Sequence, residues 1–206
     1  MFQYVNFATI PGDPARFQAA LSQFDQHNSR DPNVEATSGV SRPRELLYAE
    51  RLTRWVQELA PDASEELRLA ARSQHLCRWE IPRQQYPMTR AGYLQWRARL
   101  KIFHAEKAGE ILRQAGYPES TITRVQDLNL KKHFPADPDS RILEDALCLV
   151  FLQYQFADLA KKTEDDKMIN ALQKAWKKMT PTAHAHALKL NFGPHEQSLL
   201  SRALPK

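Results

Sequence analysis

Apolar residues recur at three- and four-residue spacing along most of this chain, and proline-bearing turns divide the periodic stretches. Asp13-Pro14 reads as an N-cap with a first-turn proline, and Phe17, Ala20, Leu21 and Phe24 follow at helical spacing. NSRDPNVEATSGVSRP is a loop by composition. A second helix is predicted from Pro43 to Leu59, with Leu46, Leu47, Leu52, Val56 and Leu59 facing inward. Asp62 and Glu65 resemble a capping box for a third helix carrying Leu67, Ala70, Ala71, His75 and Trp79. On that helix Arg72, His75 and Arg78 would share a face. IPRQQYP is a break, and Thr89 caps a long fourth helix reaching Arg113, with Gly116 near its end. ESTITRVQDLNLKK is a shorter fifth helix. Asp139 opens DSRILEDALCLVFLQYQFADLAKK, which is apolar around most of its circumference and so reads as a central, buried helix. TEDDKMINALQKAWKKM, PTAHAHALKL and a short segment from Pro194 complete the helices. No run alternates well enough for a strand. The expectation is an all-α, single-domain helical bundle over residues 1–206.

Composition narrows the setting. The chain has 206 residues, 42% hydrophobic and 26% charged, enough for a core without staples. No apolar run is long enough to span a membrane. MFQYVNFATIPGDPARF lacks the basic start and apolar stretch of a secretory leader. Cys77 and Cys148 form no metal or redox spacing, so reduced thiols in the cytoplasm are the simplest expectation. Only 6 glycines disfavour Gly-rich phosphate loops. The net charge is +5, yet between Arg72 and Arg113 nine basic residues face three acidic ones. The positive charge is therefore concentrated in one stretch, which suits phosphate-bearing ligands and equally describes a solvated helix surface.

That stretch holds two histidines. Arg97, Lys101 and Lys107 surround His104 at helical spacing and disfavour its charged form. A neutral imidazole is what a metal or a general base requires. His75 fits a hydrogen-bonded core histidine as well, and His104 an incidental histidine on a solvated basic face. Glu144 and Asp145 lie on the apolar central helix, where carboxylates need a partner; Arg141 offers an ion pair and the helix start a favourable dipole. Glu50 interrupts the apolar side of the second helix, as a base or as a surface acid. RWEIPRQQYPMTRAGYLQWRARLK interleaves Arg78, Arg83, Arg90, Arg97 and Lys101 with Trp79, Tyr86, Tyr93 and Trp96. Cations hold phosphate and aromatic faces stack bases, so the segment suits a nucleotide or single-stranded RNA; buried aromatics with solvated cations give the same pattern. His184 and His186 are two apart and cannot chelate together on a helix.

QHLCRWEIPR, YPMTRAGYLQWR, FHAEKAGEIL, LEDALCLVFL and KAWKKMTP together resemble the uncharacterised bacterial and fungal family called domain of unknown function 4202. The likeness runs from DPN near residue 32 to LKL near residue 190 and brings no activity with it. The order of features also bears a distant resemblance to the HD superfamily of metal-dependent phosphohydrolases. That resemblance implies an HD-like helical domain with a divalent metal ion on His75, His104 and Asp145. Glu50 lies near the place of the superfamily's first histidine, and the chain reads Gln74-His75-Leu76 where a His-Asp pair would stand. In this reading the ion activates water, and Glu50 or Glu144 completes the shell or takes a proton. Arg78, Arg83, Arg90, Trp96, Arg97 and Lys101 then bind the phosphate ester or nucleotide. The alternative is a metal-free nucleotide- or RNA-binding module on residues 72–113. A di-iron oxygenase, also known within the superfamily, would need a richer ligand set.

Overall fold

The computed structural model describes residues 12–37 and 39–204. Residues 1–11, on which the expectation of no leader rests, lie outside the described residues. Among the described residues the structure is all-α apart from one small hairpin.

α1 spans Pro14–Asn28, with Asp13 Oδ1 accepting from the Arg16 amide at 3.0 Å. Next comes the hairpin, β1 (Val34–Thr37) and β2 (Val40–Pro43), in antiparallel register with Val34 opposite Pro43. Composition alone assigns this segment to a loop, because the strands are four residues long and mostly exposed, with little apolar alternation. Tertiary ion pairs support them. Arg42 on β2 donates to both carboxylate oxygens of Glu50 at 2.9 and 2.7 Å, and Arg51 reaches Glu35 on β1 at 2.6 Å.

α2 follows directly (Arg44–Leu59), burying Leu46, Leu47, Leu52 and Val56. α3 (Glu65–Ser73) is capped by Ser64, whose Oγ accepts from the Leu67 amide at 3.1 Å; Asp62 is not the cap. α3 also ends earlier than periodicity predicts. Asn28 Oδ1 accepts from the Cys77 amide at 3.1 Å, and Cys77 takes a left-handed backbone with φ of 54°. The chain therefore turns out of the helix before His75. Arg72 turns instead to Asp25, donating to both carboxylate oxygens at 2.6 and 2.7 Å.

α4 is the long helix Arg90–Gln114, started by Thr89 Oγ1 accepting from the Gly92 amide at 3.1 Å. Gly92 is required: a Cβ there would stand 2.1 Å from the Pro87 carbonyl oxygen. α5 (Glu119–Leu130) packs along it. α6 is Pro138–Val150, with Asp137 as the cap, two residues ahead of the expected Asp139; Asp139 instead accepts from Ser64 Oγ at 2.9 Å. A π-helical turn over Phe151–Gln155 leads into α7 (Phe156–Ala160). α8 (Asp165–Trp176), α9 (Pro181–Ala187) and α10 (Pro194–Ala203) complete the fold.

Two buried clusters share α6. Leu143, Ala146 and Val150 face the first, with Phe24, Leu52, Leu67, Leu112, Ile122 and Leu128. Cys148 and Leu149 face the second, with Phe156, Met168, Leu172 and Leu199. The two-sided burial explains why α6 reads as apolar around most of its circumference. Among the described residues no helix is long and apolar enough to cross a membrane.

Candidate functional site

A cavity of about 880 Å³ opens where α4, α6 and α8 face one another beside the turn after α3. That turn contributes Gln74, His75 and Arg78; α4 contributes Tyr93, Arg97, Lys101 and His104. α6 contributes Glu144 and Cys148, and the π-helical turn contributes Phe151 and Gln155. Such turns often sit at functional sites. α8 brings Lys174 and Asn170, and Lys131 and Lys178 close the rim.

His75 does not lie on a helix. Its ring is pinned between two residues of the first turns of α2: it stacks on Tyr48 with centroids 3.9 Å apart, and its Nδ1 lies 3.3 Å from Glu45 Oε2. Arg78 approaches the other oxygen of Glu45 at 3.8 Å. Burial pushes the Glu45 carboxyl up to about 7, with Arg78 opposing and Asp31 adding to the rise. Burial, then Arg78 and Arg97, holds His75 well below its ordinary value. The ring is therefore neutral near pH 7.

His104 stands behind His75, 5.7 Å between centroids. Its Nδ1 lies 2.8 Å from the Leu76 carbonyl oxygen. A carbonyl only accepts, so Nδ1 carries the proton and Nε2 holds a lone pair. Burial and the neighbouring His75 lower His104 to about 3. Nε2 is buried with no hydrogen-bond partner among the described residues.

Across the cavity, Glu144 is clasped by Lys131 and by Lys178, the latter at 3.0 Å. Burial opposes its charge, but the two ammonium groups keep the carboxyl below its usual range. Lys131 caps α5 in the left-handed region with φ of 57°. The remaining cations differ in kind. Arg97, Lys101 and Lys174 line the cavity with no carboxylate within ion-pair distance among the described residues.

The predicted site residues thus separate. His75, His104, Glu144, Arg78, Arg97 and Lys101 meet in one cavity. Asp145 does not line it. Its carboxylate accepts from the Thr180 amide at 2.9 Å and from Thr180 Oγ1 at 2.5 Å, tying α6 to the start of α9. Glu50 is held by Arg42 and serves the hairpin. Arg83 donates to the carbonyls of Tyr86 and Pro87 at 2.9 and 2.7 Å, stitching its own loop. Arg90 is exposed at the start of α4, outside the cavity lining. Trp96 is buried, donates from Nε1 to the Ile81 carbonyl at 2.8 Å, and carries the Arg78 guanidinium 4.8 Å over its ring.

A divalent ion on His75, His104 and Asp145 does not fit this arrangement, because Asp145 is turned toward α9. Among the described residues no three His, Cys, Asp or Glu side chains gather as a metal-binding group. Sequence reasoning also missed Glu45, Gln74, Lys131, Lys174 and Lys178. Glu45 reads as an ordinary first-turn acid, and nothing local marks the lysines as converging from three elements. Both cysteines are free and buried, with thiols pushed up to about 12 chiefly by burial.

Residues 18–200 match the sequence model of a family described as Domain of unknown function (DUF4202). No curated protein and no solved structure matches the chain.

Proposed function

The chain belongs to the DUF4202 family, and we propose that its cavity binds a phosphate-bearing small molecule of about nucleotide size. One observation carries this reading: Arg97, Lys101 and Lys174 project onto the same cavity without carboxylate partners among the described residues. Cations clustered in a concavity repel one another, and an anion relieves that repulsion. The cavity volume of about 880 Å³ falls within the range of small-ligand sites. A bound RNA strand is less well supported, since Arg83 and Trp96 are committed to backbone carbonyls and Arg90 lies apart.

Calorimetric titration with ADP, ribose 5-phosphate and inorganic phosphate tests the proposal. Binding that weakens as salt rises is expected. Absence of heat and of thermal stabilisation with every phosphate compound at low salt would sink it.

Turnover of that ligand is a second reading, favoured by the contact between His75 and Glu45. An ionised Glu45 orients His75 with Nδ1–H toward itself and leaves Nε2 free. Glu45, raised to about 7 by burial, is the group of the pair poised to exchange a proton near neutral pH. Release of inorganic phosphate from a nucleotide or sugar phosphate, lost in His75→Gln, is the expected result. The reading contains no step through a metal ion.

A further inference from the structure

Two acceptor atoms of cavity-lining residues have no donor among the described residues, Nε2 of His104 and Oε1 of Gln74. His104 is 2% exposed and Gln74 5%. The His104 assignment is firm in direction, because Nδ1 must donate to the Leu76 carbonyl. Buried acceptors in folded proteins nearly always meet a donor. Lys131 and Lys178 clasp Glu144, Arg78 leans on Glu45 and Trp96, and none of Arg97, Lys101 or Lys174 donates to either acceptor. His75 is no donor to His104 Nε2, which lacks a partner although the rings are 5.7 Å apart.

We infer that the missing donors are hydroxyls of the ligand, so that the cavity takes a phosphate ester bearing at least two hydroxyls, a sugar phosphate or nucleotide. Its phosphate lies with Arg97, Lys101 and Lys174, and two of its hydroxyls donate, one to His104 Nε2 and the other to Gln74 Oε1. A cavity of about 880 Å³ has room for both ends of such a molecule. The inference rests on the phosphate-binding reading and adds the identity of the other end. It also separates this site from a plain anion trap, since inorganic phosphate satisfies only the cations.

The test is calorimetry on the full chain with inorganic phosphate, methyl phosphate and ribose 5-phosphate, each in buffer containing EDTA and again with Mn²⁺. Ribose 5-phosphate is expected to bind roughly tenfold more tightly than methyl phosphate. Gln74→Met and His104→Leu are each expected to shrink that ratio toward one. Gln74→Met decides the matter if His104→Leu fails to fold. Equal affinities for the two esters overturn the inference and leave phosphate binding standing. A ratio unchanged in folded variants overturns it too, as does a preference that exists only with Mn²⁺, because a metal ion then fills the acceptors. No binding of any of the three at low salt overturns the phosphate-binding reading together with the inference.

Discussion

Glu45 and His75 meet at 3.3 Å between Oε2 and Nδ1, joining the first turn of α2 to the turn after α3. Thirty positions of sequence separate them, and Glu45 is not conspicuous until His75 is seen beside it. The contact places a carboxyl of unusual basicity beneath a neutral imidazole at the edge of a cationic cavity.

The raised Glu45 value sets a pH dependence of stability. Folded Glu45 titrates at about 7 against 4.5 unperturbed, so the folded state binds the extra proton between those values. Its contribution is full below 4.5 and is lost as pH rises through 7. Glu45→Gln removes this loss. Relative to the unsubstituted protein, the variant is expected to gain on the order of 2–3 kcal/mol between pH 5 and pH 8. Urea midpoints at the two pH values measure the change; an identical offset at both contradicts the assignment.

His104 has the opposite sign. Its folded value of about 3 lies below the unperturbed 6.5, so the unfolded chain takes the proton first. The stabilising contribution is present above 6.5 and is lost as pH falls toward 3. NMR of the imidazole is expected to show a neutral, Nδ1-protonated ring from pH 8 down to pH 5. A titration midpoint near the unperturbed value would show that the ring is not buried as described.

The unpaired cations predict a graded effect on affinity. Arg97→Ala and Lys174→Ala should each weaken a phosphate ligand about tenfold, since a charge-assisted hydrogen bond contributes about 1.5–3 kcal/mol. The double variant should also show a shallower salt dependence. Arg90→Ala, on the same helix as Arg97 but outside the cavity, serves as the comparison and should bind as the unsubstituted chain does.

Asp145 and Glu144 are neighbours with separate duties. Asp145→Ala removes both acceptors of Thr180 and should lower stability by about 1–3 kcal/mol while phosphate affinity is retained. Glu144→Gln leaves Lys131 and Lys178 without their shared carboxylate beside the cavity and should tighten the binding of an anion. Thermal melts and titrations on the two variants separate the roles. Loss of ligand binding with folded Asp145→Ala would restore that residue to the site.

The helices were legible in the sequence because their signals are local. Spacing of apolar residues, Thr89 as a cap and the prolines of the turns act within a few residues of chain. The excess of positive charge between Arg72 and Arg113 was legible for the same reason, and part of it, Arg78, Arg97 and Lys101, reaches the cavity. Where a distant group competes with the local pattern, sequence reading failed. Asn28 takes the Cys77 amide and draws the chain out of α3, so His75 leaves the helix that periodicity assigns to it. Arg42 and Arg51 hold a hairpin too short to announce itself.

The sequence by itself determined that this chain is helical, that α6 is central, and that a basic stretch bears two histidines, since each follows from residues close together along the chain. Only the tertiary structure decided which polar groups share a site. Successive residues on a helix point about 100° apart, so Glu144 enters the cavity between two lysines while Asp145 turns to Thr180. The partners that distinguish them come from other helices and loops, and no spacing along the chain encodes that meeting.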